Sequence, residues 1–239
     1  MEQRANAETL NSIGLLLAEL RSGRALSVSD AVLEWADSAA RSYPWRNPGR
    51  SSYEVLIAEV LLRRTTASAV ARMYQEFLSW FPCLEALHGA SEAKLRNVLS
   101  PLGLQRLRSR GLKAMAGYLI EKESGQVPGD IHRLLKIPHV GPYTAAAVLS
   151  FAFQRPIAIV DSNVERVLRR LFNLTLPARS TGGDLRAIAA ALLPRAKYRE
   201  FNLGLLDLGA LVCRYGRPRC GGCPLGAMCE YASLTAGQV

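Results

Sequence analysis

Apolar residues along this chain recur at intervals of three and four, the period that lays one face of an α-helix against a core. Val55, Leu56, Val60 and Leu62 form one such stripe, Met73, Phe77 and Leu78 a second, and Val164, Val167, Leu168 and Leu171 a third. The pattern predicts a first firm helix over Asp30 to Ala40, preceded by a loosely tied, largely polar extension over residues 1–28. No segment alternates with the period of two that marks a half-buried strand. Turn residues at Asn47-Pro48-Gly49, Pro101-Leu102-Gly103, Pro128-Gly129 and Thr181-Gly182-Gly183 punctuate the helical stretches at spacings that suit short helix–helix connections. The predicted class is all-α, without internal repeats.

With 239 residues, 49% of them hydrophobic, the chain can bury a substantial core without disulfides. Charge adds direction. Thirty Lys and Arg against twenty Asp and Glu give a net +10, which favours a polyanion partner, nucleic acid first, although basicity can also serve solubility alone. The longest nearly apolar run, Tyr143 to Phe153, is far shorter than the roughly 20 residues of a membrane span. No signal-peptide pattern is read at the N-terminus, so a cytoplasmic, nucleoid-associated and non-membrane protein is expected. Its five cysteines should then be reduced, which directs attention to metal.

Cys213, Cys220, Cys223 and Cys229 follow the spacing C-x6-C-x2-C-x5-C, with Pro218, Gly221, Gly222, Pro224 and Gly226 between them. Four thiolates on so tight a loop can surround one [4Fe-4S] cluster, each iron taking one cysteine. Structural zinc is the alternative, but it usually draws on two paired motifs and only one C-x2-C is present. Cys83, alone in Phe81-Pro82-Cys83-Leu84, reads as a buried apolar residue.

Three further stretches carry candidate chemistry. Ile137-Pro138-His139-Val140-Gly141-Pro142-Tyr143-Thr144 is a tight turn that ends at a helix N-terminus, whose free N–H groups suit a phosphate oxygen. An ordinary helix connection would look the same. Val160-Asp161-Ser162-Asn163 opens the amphipathic helix Val164 to Phe172; Asp161 or Ser162 would serve as N-cap, and Ser162 with Glu165 forms an S-x-x-E capping box. Glu59 has Val55, Leu56 and Leu62 one turn away, so its carboxyl is expected to be at least partly buried. It could pair with Arg63 four residues on, but a carboxyl withdrawn from water is also how a proton donor is made. Arg63 and Arg64, the row Arg106, Arg108 and Arg110, and Arg214, Arg217 and Arg219 could line a duplex or be solvated faces.

Taken together and in order, Pro44-Trp45-Arg46, Glu59 through Thr66, the hairpin, Val160-Asp161-Ser162-Asn163 and the terminal cysteine spacing resemble the endonuclease III and MutY branch of the helix-hairpin-helix DNA glycosylase superfamily, from about residue 41 to 230. Within it the Leu-Leu-Arg-Arg-Thr-Thr segment and Tyr143 are most similar to the thymine-DNA mismatch glycosylases of the Mig type. The resemblance implies a six-helix barrel domain over 47–154 and a cluster domain from 29–46 plus 155–239. It implies Asp161 as catalytic carboxylate, Glu59 as the acid that assists base departure and Tyr143 as a pocket wall. Arg63 and the hairpin residues His139, Val140 and Gly141 would contact DNA, and Arg64 and Gln105 would fill the gap left by a flipped nucleotide.

Two departures qualify the resemblance. The family hairpin reads Pro-Gly-Val-Gly and here has His139 at the first glycine; histidine tolerates positive φ better than most residues. Lyase members keep a lysine where Tyr143 stands. The expected activity is therefore a monofunctional glycosylase, acting as a monomer on duplex DNA at thymine or uracil opposite guanine. A MutY-like adenine glycosylase is the alternative; those relatives carry a long extra C-terminal domain, whereas this sequence ends ten residues after Cys229. A non-catalytic iron–sulfur DNA-binding protein is the third reading, against which the pairing of Glu59 with Asp161 weighs.

Overall fold

The computed structural model describes residues 13–174 and 182–235, and among them every regular element is a helix. The chain divides into two compact units, Ser42–Arg155 and the discontinuous pair Met1–Arg41 with Pro156–Val239. No helix among the described residues is long and apolar enough to cross a membrane.

The continuous unit is built on α2 (Ser52–Leu62), following α1 (Ala25–Ala39) of the other unit. Ser51 and Glu54 close a reciprocal capping box: Ser51 Oγ accepts from the Glu54 amide at 3.2 Å, and Glu54 Oε2 accepts from the Ser51 amide at 2.8 Å. Beyond the cap α2 is buried from Val55 to Leu61, which is why its pattern is apolar all round rather than one-sided. It packs on α3 (Ala67–Trp80) and on α8 (Pro142–Phe151), whose run Ala145-Ala146-Ala147 lets the two axes come close. The fully buried Tyr74, Phe77 and Phe81 fill the space beside α2, and the Tyr74 hydroxyl donates to the Glu54 carbonyl at 2.8 Å. The short helices α4 (Leu84–Gly89) and α5 (Glu92–Leu99) pack against α6 (Gln105–Lys122), and α7 (Ile131–Leu134) leads into the hairpin before α8.

The discontinuous unit holds α9 (Ser162–Leu171), α10 (Gly182–Leu192), α11 (Tyr198–Leu211) and α12 (Glu230–Thr235) with α1. Val28, Val32 and Ala36 put a stripe of α1, one residue in every four, against α11, where Gly204 leaves room for Val32 and Ala36. The sequence placed the first firm helix at Asp30 to Ala40; it starts at Ala25 and is preceded by helical turns from residue 13. These turns are not a loose extension. Leu20 is only 1% exposed, and Arg24 donates to the Met228 carbonyl at 3.2 Å, so a long-range contact absent from the local pattern ties the segment down. Residues 1–12 of the expected extension, and Thr181 at the start of the expected Thr181-Gly182-Gly183 turn, lie outside the described residues.

The observed division falls after Arg41 and Arg155 rather than after residues 46 and 154. Tyr43, Trp45 and Arg46 thereby join the continuous unit. Trp45 meets the edge of Tyr74 at 5.5 Å and stacks on Tyr43 at 4.7 Å, and this aromatic packing outweighs sequence proximity to α1.

Candidate functional site

In the discontinuous unit a non-helical run, 156–161, delivers Asp161 to the start of α9. Asp161 itself is the N-cap: Oδ1 accepts from the Asn163 and Val164 amides, both at 2.8 Å, and Oδ2 accepts from the Asn163 side-chain amide at 2.8 Å. The capping box read at Ser162 and Glu165 gives way to this arrangement, because Glu165 turns forward to take Arg169 Nε at 2.8 Å. Asn163 Oδ1 accepts from Arg166 Nη2 at 2.8 Å, and Arg166 donates onward to the carbonyls of Gly209 and Cys213, each at 2.7 Å. The carboxylate is thus held by a chain of donors that ends in the cysteine loop.

The four predicted cysteines line one apolar cavity, together with Arg170, Tyr231 and Pro218. All four are free of disulfide bonds and partly buried. Arg170, one turn after Arg166, stitches the loop to α9: its guanidinium reaches Cys213 Sγ at 3.4 Å and donates to the carbonyls of Arg214 at 2.8 Å and Gly216 at 3.2 Å, while lying over the Tyr231 ring. Burial, with the neighbouring thiols adding to it, pushes the Cys223 thiol up to about 11 and raises Cys229 as well. Among the described residues no three His, Cys, Asp or Glu side chains gather around one point as a single metal ion requires. A zinc ion would need every sulfur at about 2.3 Å from one centre. A polynuclear iron–sulfur core would instead take one sulfur per iron.

In the continuous unit Glu59 is 4% exposed, buried in the middle of α2 as its neighbours predicted. Arg63, at the C-cap of α2, donates from Nη1 to the His139 carbonyl at 2.9 Å. That bond joins the end of α2 to the hairpin. The hairpin is a turn closed by the Val140 amide on the Ile137 carbonyl at 3.1 Å, with Pro138 second and His139 third at φ 66°. Proline second and positive φ third is the signature of a type II turn, so histidine occupies the left-handed position that the family fills with glycine. Gly141 then caps α8 without a side-chain bond and Pro142 takes its first position, so the amides of Tyr143 and Thr144 open the helix. Tyr143 is half-buried there.

The basic rows part company. Arg64 is exposed in the left-handed conformation, φ 54°, and Gln105 is exposed as the first residue of α6. Arg106 is exposed, and exposed Arg110 lies 3.6 Å from Glu92. Arg108 does not line a surface. It is 9% exposed, and its guanidinium donates to the carbonyls of Gly103, Val60, Leu61 and Arg63 at 3.0, 3.4, 3.1 and 2.7 Å. Arg63, Arg64, Arg108 and His139 border a cavity of about 250 Å³ with Leu104 and Leu107. These two leucines were missed in the sequence: Leu107 is 61% exposed, an apolar side chain where the helical period offers no reason to expect water. Cys83, read as buried, is exposed instead; its sulfur accepts the Ala86 amide at the start of α4, so its place is set by capping rather than by apolar packing.

Comparison with known proteins gives the family. The chain matches the model of the HhH-GPD superfamily base excision DNA repair proteins over residues 57–182. It is 35% identical over 213 residues to a thymine/uracil-DNA glycosylase of Methanothermobacter thermautotrophicus, covering 87% of this chain and 94% of the relative. It is 36% identical to an adenine DNA glycosylase of Mycolicibacterium smegmatis, covering 87% of this chain and 71% of that one. A solved thermostable thymine-DNA glycosylase superposes with a TM-score of 0.84 at 33% identity, over 90% of this chain and 99% of its own. With its helical architecture, its hairpin and more than half of its length matched, the chain belongs to the HhH-GPD superfamily of base excision DNA repair proteins.

Proposed function

We propose that this protein is a monofunctional DNA glycosylase that hydrolyses the N-glycosidic bond of thymine or uracil opposite guanine. The observation that carries the reading is the Asp161 carboxylate, fixed by two backbone amides and the Asn163 side chain at the head of α9. Breaking the glycosidic bond builds positive charge on the sugar, and a fixed carboxylate favours that transition state because it needs no reorganisation as the charge develops. Asp161 would also orient the attacking water. Glu59, in its buried setting on α2, is the candidate donor to the departing base. The hairpin amides, Arg63, Arg64 and Gln105 are the candidate contacts to the strand, and phosphate contacts of this kind position the duplex without reading sequence. Thymine opposite guanine is a favourable target because unstacking costs least at a mismatch.

Cys213, Cys220, Cys223 and Cys229 would hold a [4Fe-4S] cluster, which would anchor the loop to which Arg166 and Arg170 tie α9. Support for thymine or uracil comes from the names of the relative and the solved neighbour and from tyrosine at position 143. The adenine DNA glycosylase at comparable identity supports the second reading, adenine excision. A panel of duplexes carrying T·G, U·G, A·G and A opposite oxidised guanine, assayed for abasic product after alkali, decides between them. Release from T·G and U·G is expected. Release of adenine alone would transfer the protein to the second reading, and no release from any duplex would overturn both.

A further inference from the structure

α11 touches the chain on both sides of Asp161. Before it, the non-helical residues 156–160 run past Asn202, which is 1% exposed in the first half of α11. The Asn202 side-chain amide donates to the Ile157 carbonyl at 2.9 Å, and its oxygen accepts from the Ile159 amide at 3.3 Å. The carbonyl of one residue and the N–H two residues on lie along the same edge of an extended chain, and a neighbouring parallel strand would bond this pair. Among the described residues there is no strand to do so. A single carboxamide therefore replaces one rung of a ladder and satisfies two backbone groups beside the buried Ala158 and Ile159. The two partners also fix which way the carboxamide faces, since the carbonyl needs its NH2 and the amide its oxygen.

After Asp161, Gly209 of α11 meets Asn163, the residue whose amides hold the carboxylate. A Cβ on Gly209 would lie 2.7 Å from Asn163 Cβ and 2.9 Å from its carbonyl oxygen, closer than any side chain tolerates. Asn202 and Gly209 are seven residues apart, two helical turns, and so share one face about 10 Å long.

We propose that this face of α11 is the template that sets the position of the Asp161 carboxylate, with Asn202 and Gly209 as its positioning residues. The inference rests on the reading of Asp161 as the catalytic carboxylate. Asn202 fixes the register of 157–159, two residues upstream; Gly209 fixes the depth to which Asn163 seats, two residues downstream. Neither touches the reacting atoms. Because effective molarity falls steeply with sub-ångström misplacement, a small shift of this template acts on the chemical step rather than on DNA affinity.

The test uses the full-length protein and four variants, Asn202→Leu, Gly209→Ala, Asp161→Asn and Asn202→Leu with Asp161→Asn, checked for helicity and melting temperature. Single-turnover excision on a T·G duplex is measured beside the Kd for a non-cleavable duplex. Asn202→Leu and Gly209→Ala should each lower the excision rate at least about tenfold and leave Kd within about threefold. The double variant should be no slower than Asp161→Asn alone, since residues acting through one group are non-additive. Hydrogen exchange at 157–161 should quicken in Asn202→Leu. If Asn202→Leu does not fold, Gly209→Ala carries the same prediction from the other end of the face. Unchanged rates in folded variants, or losses that multiply in the double variant, overturn the template while Asp161→Asn remains slow. Full activity of Asp161→Asn brings down the functional reading and the template with it.

Discussion

The Arg108 guanidinium donates to the Arg63 carbonyl at 2.7 Å, and with the same group takes the carbonyls of Leu61 and Val60 that α2 leaves open at its C-terminus. One buried cation therefore closes the helix that carries Glu59 and sets where Arg63 and Arg64 leave it. Each buried acceptor left without a donor costs about 1–3 kcal/mol. Arg108→Met should lower stability by several times the effect of Arg106→Met, the exposed neighbour, which should stay within about 0.5 kcal/mol. Arg108→Lys should not rescue it, since a point ammonium cannot span the set of carbonyls that a planar fork reaches. Chemical denaturation of the three variants reads the difference; equal midpoints for Arg108→Met and Arg106→Met would refute the cap.

Asp161→Asn separates capping from chemistry. The variant keeps an oxygen for the two backbone amides and sets its own NH2 against that of Asn163, so stability should change by about 1 kcal/mol or less. Loss of the charge should slow base excision at least about a hundredfold. Near-normal single-turnover rates would leave Asp161 a helix cap and nothing more.

The cysteine cavity predicts its own analysis. Protein purified without oxygen should be brown and carry about four irons per chain. Cys213→Ser should loosen α9 as well as the loop, because Arg166 and Arg170 both bond to residues 213–216. Zinc in place of iron would remove the cluster from the structure's account.

Tyr143 predicts what the enzyme leaves undone. β-Elimination begins with an amine attacking the sugar C1′, and a phenol forms no Schiff base. The T·G product should be an intact abasic strand that breaks only with alkali, and borohydride should trap no protein–DNA adduct. Spontaneous nicking with a trapped adduct would show that another amine reaches the sugar.

A pH dependence follows from Glu54. Burial alone would raise its carboxyl, but the Ser51 amide, the Arg50 guanidinium at 2.6 Å and the Ser51 side chain outweigh it and hold Glu54 below the ordinary glutamate range. A lowered value in the fold means stabilisation that is present above the unfolded carboxyl's range and disappears as pH falls through the folded one. Glu54→Gln should therefore be less stable than the parent at pH 7, by about 1 kcal/mol for a partly exposed pair, and the gap should narrow as pH falls below the ordinary glutamate range. A gap that stays constant as pH falls through the acid range would assign the capping box a purely geometric role.

What could be read from the sequence was local. Val164, Val167, Leu168 and Leu171 gave α9, Pro138 and His139 gave the turn, and burial of Glu59 followed from its neighbours one turn away. The capping box at Ser162 was a local reading too, and it failed because Glu165 had a second partner at Arg169. The rest depends on contacts across long stretches of chain. Arg108 looked like its neighbours Arg106 and Arg110 because its carbonyl partners on α2 lie 45 to 48 residues earlier. Leu20 gave no sign of its burial, and nothing near Asn202 announces that it pairs with 157 and 159.

The discontinuity of the first unit sets an order of events on the ribosome. Ser42–Arg155 is one uninterrupted stretch, so its core can close as soon as α8 has emerged. The stripe Val28, Val32 and Ala36 has no such option, because its partner α11 begins at Tyr198. At ordinary synthesis rates that leaves an apolar helix face uncovered for on the order of ten seconds. The cysteine loop follows α11 and is synthesised only after the residues that cover this face. Nascent chains stalled before Tyr198 should consequently hold a folded central unit flanked by a sticky leader, a natural substrate for chaperones and an easy target for proteases.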